Sequence, residues 1–267
     1  MKLQYASDLH LEFNQNTQWL QETPLEVTGD VLVLAGDITI FGDDELENHP
    51  FFDWCAENYR ETILVPGNHE YYDGVEMRDT LTDFEKLLRP NVRYLNNRSI
   101  VIDDTELFVT TLWSKVKPQN EEWIESRMTD CRRSVLDGHT LRGADYSLLH
   151  ELCFSWLDDA LKQSTAKHKV VVTHHSPVNY EDPTFATNNL TDAFIIPLED
   201  YIEQSDIDAW IFGHTHYNAA EGVTLGRTRN CTNQLGYVMY GICSGYNPAR
   251  FIDLDEMPNP DTEKEVL

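Results

Sequence analysis

Basic residues are scarce in this sequence. Its 267 residues include 20 Lys or Arg against 46 Asp or Glu, which gives a formal net charge of −26. A surface with this balance lacks the basic stripe that binds the phosphates of long nucleic acids. The composition therefore excludes a basic nucleic-acid platform, and we do not expect a nuclease that acts on long duplexes.

Cysteine pairs and long apolar runs are also missing. The five cysteines are scattered and form no Cys-x-x-Cys pair, so neither a disulfide framework nor a cysteine-based zinc site is indicated. No run approaches the roughly 18 apolar residues of a membrane helix. The first predicted strand begins near Leu3, which leaves no room for a cleaved signal peptide. We expect a cytoplasmic protein with no membrane partner.

The composition is nevertheless that of a folded protein. Hydrophobic residues make up 41% and aromatic residues 11% of the chain, which is enough for a core. We predict one domain over residues 1–253 and a loose acidic tail over residues 254–267. A charged segment over residues 114–145 interrupts the pattern, and it is either a cap over a site or a surface excursion.

Short β-rich runs alternate with helix-like stretches along the first part of the chain. The predicted strands cover residues 3–6, 31–35, 62–65, 99–102, 107–112, 169–173, 209–212 and 237–242. The predicted helices cover residues 51–59, 75–88, 146–161 and 198–204. Because strands dominate the later part, the pattern favours an α/β sandwich over a purely doubly wound sheet.

Chemically distinctive side chains follow five of the predicted strands. In chain order they are Asp8 with His10, Gly36-Asp37, Gly67-Asn68-His69-Glu70, His174-His175 and Gly213-His214-Thr215-His216. Loops at the carboxyl ends of strands converge into ligand sites in α/β sheets. Imidazole nitrogen and carboxylate oxygen together suit borderline divalent metals, and one Asp such as Asp37 can bridge two ions. The ordered set therefore predicts a metal centre, although each piece alone has little weight.

This set resembles the signature of the calcineurin-like metallophosphoesterases, and it spans residues 8–216. The resemblance implies a four-layer αββα sandwich of two mostly mixed β-sheets flanked by helices. It also implies two divalent metal ions, such as Mn²⁺, Fe²⁺ or Fe³⁺, or Zn²⁺, in the loops at one edge. The implied ligands of the first ion are Asp8, His10, Asp37 and His216. Those of the second ion are Asp37, Asn68, His174 and His214.

Two histidines of the set carry further expectations. Relatives with a single histidine place it directly after the strand threonine, which favours His174 and leaves His175 beside the substrate or in packing. The resemblance implies that His69 and Asn68 are catalytic residues: His69 would protonate the leaving oxygen or stabilise its charge, and the neighbouring Asn68 is also a metal ligand. A supporting role behind the ligands is the alternative for His69, and Asp37 or Glu70 could orient it.

The middle segment resembles a bacterial subgroup of unassigned metallophosphoesterases. Leu112-Trp113 and Arg127-Met128-Thr129-Asp130 match the subgroup, and Arg132 and Arg133 follow. Either Arg132 or Arg133 could clamp a phosphate, with a solvated surface position as the alternative for each. The subgroup's late Asn-Pro-Arg-Gly-Tyr is Asn-Gln-Leu-Gly-Tyr over residues 233–237 here, so that loop lacks the arginine.

The resemblance implies hydrolysis of a small phosphodiester or phosphomonoester, by in-line attack of a hydroxide that bridges the two metal ions. One alternative is a metal-binding scaffold of the same fold with weak or no catalysis, but every motif position is filled here. Another is a Ser/Thr protein phosphatase. The His-x-His-x-Asp-His run of metallo-β-lactamase-like hydrolases is absent. The physiological substrate, the native metals and the oligomeric state stay open at this point.

Overall fold

The strands build two sheets of six strands each and one short hairpin. The computed structural model describes residues 1–179, 189–219 and 223–256. Its strands are β1 (Lys2–Ala6), β2 (Val31–Leu34), β3 (Glu61–Leu64), β4 (Phe84–Arg89), β5 (Val92–Asn96), β6 (Arg98–Ile102), β7 (Thr105–Thr110), β8 (Val135–Leu136), β9 (His139–Thr140), β10 (His168–Thr173), β11 (Ala209–Phe212), β12 (Thr224–Leu225), β13 (Thr228–Thr232) and β14 (Phe251–Asp253).

The two large sheets share one plan. The first has the order β14-β1-β2-β3-β5-β4 and the second β12-β13-β11-β10-β7-β6. The inner strands of each sheet are parallel, while the outermost pairings are antiparallel. Both sheets are therefore mixed, and the parallel strands end at a common edge, as parallel strands must.

Alternate side chains of the inner strands pack on opposite faces of each sheet, as the period of two in a strand requires. Val31 and Val33 of β2 join Val170 and Val172 of β10 in the core between the sheets. Residues Leu32 and Leu34 pack instead under the helices outside the first sheet. On the outer face of the second sheet, Val171 and Trp210 pack against the other helices. This arrangement confirms the predicted four-layer αββα sandwich.

Helices cover the outer faces of both sheets. They are α1 (Asn14–Glu22), α2 (Asp44–Glu47), α3 (Pro50–Asn58), α4 (Glu121–Arg127), α5 (Asp130–Arg133), α6 (Gly143–Gln163) and α7 (Glu199–Glu203). Short 3₁₀ turns are at His69–Gly74, Met77–Thr80, Pro118–Asn120, Thr191–Ala193, Val238–Tyr240 and Leu254–Glu256. The longest helix, α6, buries Tyr146, Leu149, Cys153, Leu157 and Leu161 along one face, with the three- and four-residue spacing of an amphipathic helix.

Within the described residues, no helix combines the length and apolar character needed to cross a membrane. The middle segment, residues 114–145, contains α4, α5 and the β8–β9 hairpin. At the start of the predicted tail, Leu254 is buried and the carboxylate of Asp255 accepts a hydrogen bond from the amino terminus of Met1 at 2.5 Å. The remaining tail residues, 257–267, lie outside the described part of the chain.

Two predicted elements are wrong. The helix predicted over 75–88 is a 3₁₀ turn followed by the edge strand β4, because Asp83 has a left-handed φ of 45° and the next residues pair with β5. The strand predicted over 237–242 is a 3₁₀ turn, since Gly241 has a φ of 98° and Tyr240 is 84% exposed. The predicted elements also omit helices α1, α2, α4 and α5 and strands β5, β8, β9, β12, β13 and β14.

Candidate metal centre

The predicted ligands meet at the edge where the parallel strands of both sheets end. Asp8 follows β1, Asp37 follows β2, Asn68 follows β3, His174 follows β10 directly and His214 follows β11. Several of these residues have the left-handed backbone that costs a side-chain-bearing residue roughly 1–3 kcal/mol. Their φ values are 54° for Asp8, 48° for His10, 56° for Asp37, 73° for His214 and 52° for His216. Such strain concentrates where side chains must be aimed at a common point.

The first donor group contains the four residues predicted for the first ion. One ligand atom from each of Asp8, His10, Asp37 and His216 lies within 4.8 Å of every other. The Nε2 atoms of His10 and His216 face each other at 3.1 Å. His216 Nε2 also lies 3.2 Å from an Asp8 oxygen, and His10 Nε2 lies 3.9 Å from an Asp37 oxygen.

A second donor group shares Asp37 with the first. Ligand atoms of Asp37, His174 and His214 lie within 4.8 Å of one another. His174 Nε2 is 3.1 Å from His214 Nδ1, 3.3 Å from Asp37 Oδ1 and 3.0 Å from Asn68 Oδ1. The amide oxygen of Asn68 therefore completes this group, and the sequence-predicted set of seven residues forms one continuous cluster.

The donor chemistry of the cluster fits divalent cations. Burial lowers the pKa of both His10 and His174 to about 4, so these rings are neutral at pH 7. Burial alone would raise the pKa of Asp8, but the hydrogen bond to His216 and nearby imidazoles outweigh it and bring it to about 2. Two ring nitrogens that face each other at 3.1 Å can share at most one hydrogen between them. Converging nitrogen lone pairs and carboxylate oxygens are what a borderline metal ion requires.

Glycines let the strand-end loops approach the cluster. A Cβ atom at Gly67 would lie 2.2 Å from Asp37 Oδ1, and one at Gly36 would lie 2.3 Å from His174 Nδ1. Gly36 also has a φ of 88°. Any side chain at either position would collide with a candidate ligand.

Glu70 holds the loops that carry the ligands rather than orienting His69. Its buried carboxylate accepts hydrogen bonds from backbone N–H groups in the loops after β2 and β3 and from the Tyr94 hydroxyl. The backbone donors are Asp37 at 3.0 Å, Ile38 at 2.8 Å, Thr39 at 3.2 Å and Gly67 at 2.7 Å. The suggestion that Glu70 orients His69 is therefore wrong.

The buried ring of His69 lies between two carboxylates and a phenol. Its Nδ1 is 2.7 Å from Glu12 Oε1, and its Nε2 is 3.8 Å from Asp37 Oδ2 and 3.1 Å from the Tyr237 hydroxyl. Burial lowers the pKa of His69, but the carboxylates of Asp37 and Glu12 more than compensate and raise it to about 9. Sequence reasoning missed both Glu12 and Tyr237. The position of Glu12, two residues after His10, was the available signal.

The middle segment contributes a buried carboxylate that fixes Asn68. Asp130, at the start of α5, is fully buried. Its carboxylate accepts hydrogen bonds from Asn68 Nδ2 at 2.9 Å, from the Tyr72 hydroxyl at 2.6 Å and from the Tyr146 hydroxyl. Because the amide nitrogen of Asn68 is held in this way, its amide oxygen must point to the cluster.

A cavity of about 400 Å³ opens over the cluster. Its walls include Asp37, Asn68, His69, His214 and His216 from the cluster, and Tyr72, Arg127, Met128, Thr129, Asp130, Phe194, Thr215 and Tyr237 around them. Part of the middle segment thus lies against the centre.

The structure places the three expected substrate contacts elsewhere. Arg132 donates to the backbone oxygen of Ser126 at 2.7 Å, and Arg133 pairs with Asp73 at 2.5 Å; neither lines the cavity. His175 has no exposed surface, and its ring packs against Trp113 and His214, with centroid distances of 4.9 and 4.2 Å. Burial lowers the pKa of His175 well below its usual value. The arginine that does line the cavity is Arg127.

Comparisons with known proteins show which family and which folds this chain is similar to. The family model for calcineurin-like phosphoesterase matches residues 1–218. The chain is 29% identical over 291 residues to the uncharacterised protein L509 of Acanthamoeba polyphaga mimivirus, covering 96% of this chain and 97% of that one. Phosphopantetheinyl hydrolase (PptH) from Mycobacterium tuberculosis aligns with a TM-score of 0.66 and 14% identity over 88% of this chain and 89% of that one. The protein TT1561 of Thermus thermophilus aligns with a TM-score of 0.48 and 14% identity over 96% of each chain.

A cluster of histidine, aspartate and asparagine side chains at the strand ends of this sandwich has the ligands of a metal-dependent hydrolase. The family model covers most of the sequence, and the chain belongs to the calcineurin-like phosphoesterase family. It is therefore a metal-dependent phosphoric ester hydrolase, as the motifs predicted.

Proposed function

We propose that the chain hydrolyses a small phosphodiester or phosphomonoester at a centre of two divalent metal ions. The observation that carries the proposal is that Asp37 belongs to two donor groups at once. A carboxylate that two ligand sets share is the arrangement that places two ions about 3.5–4 Å apart. The first ion would be held by Asp8, His10, Asp37 and His216, and the second by Asp37, Asn68, His174 and His214.

Two bound divalent ions lower the pKa of water and neutralise charge on phosphoryl oxygens. The residues of the chain set up that chemistry. Burial keeps the imidazoles of His10, His174 and His214 neutral, so that their lone pairs are available as ligands. Asp130 turns the oxygen of Asn68 toward the same point.

His69 is the group we assign to the leaving oxygen. His69 lines the cavity, its Nε2 lies beside Asp37 and the Tyr237 hydroxyl, and its Nδ1 is held by Glu12. A ring fixed at Nδ1 can hold a proton at Nε2 and transfer it to a developing alkoxide. Tyr237 would steady the ring in that orientation.

The cavity supports a substrate of limited size. A volume of about 400 Å³ is at the small end of the range for small-molecule sites. Arg127 supplies a positive charge at its wall, and Met128, Phe194 and Tyr237 supply apolar surface. We propose a small anionic ester with an organic leaving group as the substrate.

We also propose that the protein works in the cytoplasm. All five cysteines lie in the described part of the chain and are free thiols, four of them buried. Free, structural thiols suit a reducing compartment. Fractionation of the source cells should recover the chain in the cytosol, and recovery from a secreted fraction would contradict this assignment.

The test begins with metal-free protein reloaded with Mn²⁺ or Zn²⁺. We expect hydrolysis of p-nitrophenyl phosphate, bis(p-nitrophenyl) phosphate or both, and we expect Asp37→Ala and His69→Ala each to lower kcat/KM by at least about 100-fold. Asp104→Ala, an exposed residue paired with Lys167, is the control and should match the parent. Equal activity of all four proteins would show that the site is misassigned.

A further inference from the structure

Glu12 is a carboxylate outside every motif that predicted the centre. It lies in the turn between β1 and α1, and its side chain is 9% exposed. Its Oε1 atom is 3.0 Å from His10 Nδ1 and 2.7 Å from His69 Nδ1. Its other oxygen, Oε2, is buried and has no hydrogen-bond partner among the described residues. One oxygen of Glu12 thus joins a candidate metal ligand to the candidate proton donor.

The two imidazoles span the same pair of carboxylates. Their Nδ1 atoms meet at Glu12, while their Nε2 atoms lie 3.9 Å (His10) and 3.8 Å (His69) from Asp37 Oδ2. The ring centroids are 4.5 Å apart, in an edge-to-face arrangement. Because an ionised carboxylate only accepts hydrogen bonds, both Nδ1 atoms must donate. Each ring therefore presents Nε2, and not Nδ1, to the centre.

The same contact has a different effect on each ring. For His10, a proton fixed on Nδ1 leaves the Nε2 lone pair free for a metal ion, and the carboxylate behind it raises the basicity of the ligand. For His69, a carboxylate on Nδ1 fixes the orientation of the ring, as a buried aspartate does for a catalytic histidine. One residue thereby serves metal binding and proton transfer.

A purely structural carboxylate in this fold has different partners. Glu70, which braces the loops, accepts four backbone N–H groups and a tyrosine hydroxyl. The hydrogen bonds that the described residues offer Glu12 come from His10 and His69 alone. Leaving a buried oxygen without a partner costs about 1–3 kcal/mol, which a loop-bracing role would not require.

We propose that Glu12 is a positioning residue that holds a proton on Nδ1 of both His10 and His69 and thereby turns Nε2 of each ring toward the centre. Through His10 it strengthens the first metal site, and through His69 it aims the proton donor at the leaving oxygen. The role of Glu12 through His69 rests on the proposed function, whereas its role through His10 concerns the ligand set alone. An ion between Glu12, His10 and His69 is the competing arrangement, because their ligand atoms also lie within 4.8 Å.

The first experiment detects the Nδ1 protons directly. Metal-free protein labelled with ¹⁵N in histidine should show Nδ1 protonated in His10 and His69, assigned by loss of signals in His10→Ala and His69→Ala. In Glu12→Ala, neither ring should keep its proton fixed on Nδ1. Glu106→Ala is the matched control, since the Glu106 carboxylate also accepts two side-chain hydrogen bonds, from Ser99 and Ser164. Unchanged ring signals in Glu12→Ala would overturn the proposal.

A second experiment separates the effect of Glu12 on metal binding from its effect on proton transfer, and it uses the metal-loaded protein. In Glu12→Gln we expect about tenfold weaker binding of one of two ions. We expect kcat/KM at saturating metal to fall roughly 10- to 100-fold for phenyl or alkyl leaving groups and little for dinitrophenyl, which needs no proton. An equal loss across leaving groups would overturn the role through His69. Three ions per chain in the parent, and two in Glu12→Gln, would favour the competing arrangement.

Failure of the proposed function would look different. If the parent hydrolyses no phosphoester with any metal, the proposed function is wrong, yet the ring signals and the metal affinity of Glu12→Ala still decide whether Glu12 positions the two histidines.

Discussion

At the scale of single residues, Arg127 is the cation that the fold brings to the cavity. Its guanidinium stacks on the Trp123 ring at 3.2 Å and donates to Ser126 Oγ at 3.1 Å. No salt bridge joins Arg127 to a carboxylate in the described part of the chain, whereas Arg133 is neutralised by Asp73. The guanidinium is therefore available to an anionic substrate.

We predict that Arg127→Ala raises KM for p-nitrophenyl phosphate about tenfold and changes kcat less. A charge-assisted hydrogen bond contributes about 1.5–3 kcal/mol, and about 1.4 kcal/mol corresponds to a factor of ten. Arg229→Ala is the matched control because it removes the same charge from an exposed position on β13. Steady-state kinetics measures both constants, and equal KM values for the two variants would contradict a substrate contact by Arg127.

Site residues that follow strands could be predicted from the sequence, whereas those that reach the centre from other parts of the chain could not. Asp8, Asp37 and His174 could be found because each follows a strand with a clear β pattern. Asp130 and Tyr237 could not be assigned, since they reach the centre through contacts over 62 and 168 positions, with Asn68 and His69 respectively. Nothing in a local pattern encodes such a contact.

At the scale of elements, α5 links the middle segment to the second ligand group. Its first residue, Asp130, receives hydrogen bonds from Asn68, Tyr72 and Tyr146. We predict that Asp130→Ala lowers affinity for one of the two ions about 10- to 100-fold, because the Asn68 amide loses its anchor. It should also cost about 2–4 kcal/mol of unfolding free energy, since buried donors lose their acceptor.

Titration of metal into metal-free protein, together with urea unfolding, measures both effects. Tyr146→Phe is the control, because it removes one hydrogen bond to Asp130 and leaves the contact with Asn68 in place. Its metal affinity should stay near that of the parent. Weakening of metal binding by the same factor in both variants would mean that α5 acts only through general stability.

Elements buried on both faces were also the easiest to predict. Strand β2 is a continuous apolar run, and β10 contains one over residues 170–172, because both faces of these strands are covered. Strand β4 forms at the sheet edge, where its exposed and half-buried residues carry no such run, and the apolar residues Leu81, Phe84 and Leu88 imitate helical spacing. Edge pairing with β5 decides its structure, and that pairing is a tertiary effect.

At the scale of the whole molecule, the negative charge and the proposed centre oppose each other. Of 46 acidic residues, Asp8 and Asp37 are in the two main donor groups. Two divalent ions would bring four positive charges to these two carboxylates, so the bound centre would attract anions within a protein whose net charge is −26. The composition predicts the negative electrostatic field of the whole molecule. It does not predict the local reversal of its sign, because that reversal depends on where the carboxylates lie.

This opposition predicts an unusual response to salt. An anionic phosphoester is repelled by the whole molecule at long range, and the range of that repulsion shrinks as the Debye length falls from about 30 Å at 0.01 M to about 8 Å at 0.15 M. We therefore expect kcat/KM to rise severalfold between these concentrations of KCl, and to rise more for the dianionic p-nitrophenyl phosphate than for the monoanionic bis(p-nitrophenyl) phosphate. Replacing KCl by NaCl controls for binding of a particular cation. A fall in kcat/KM with both salts would mean that the cavity mouth around Arg127 is already positive enough to steer anions inward, and Arg127→Ala should then abolish that fall.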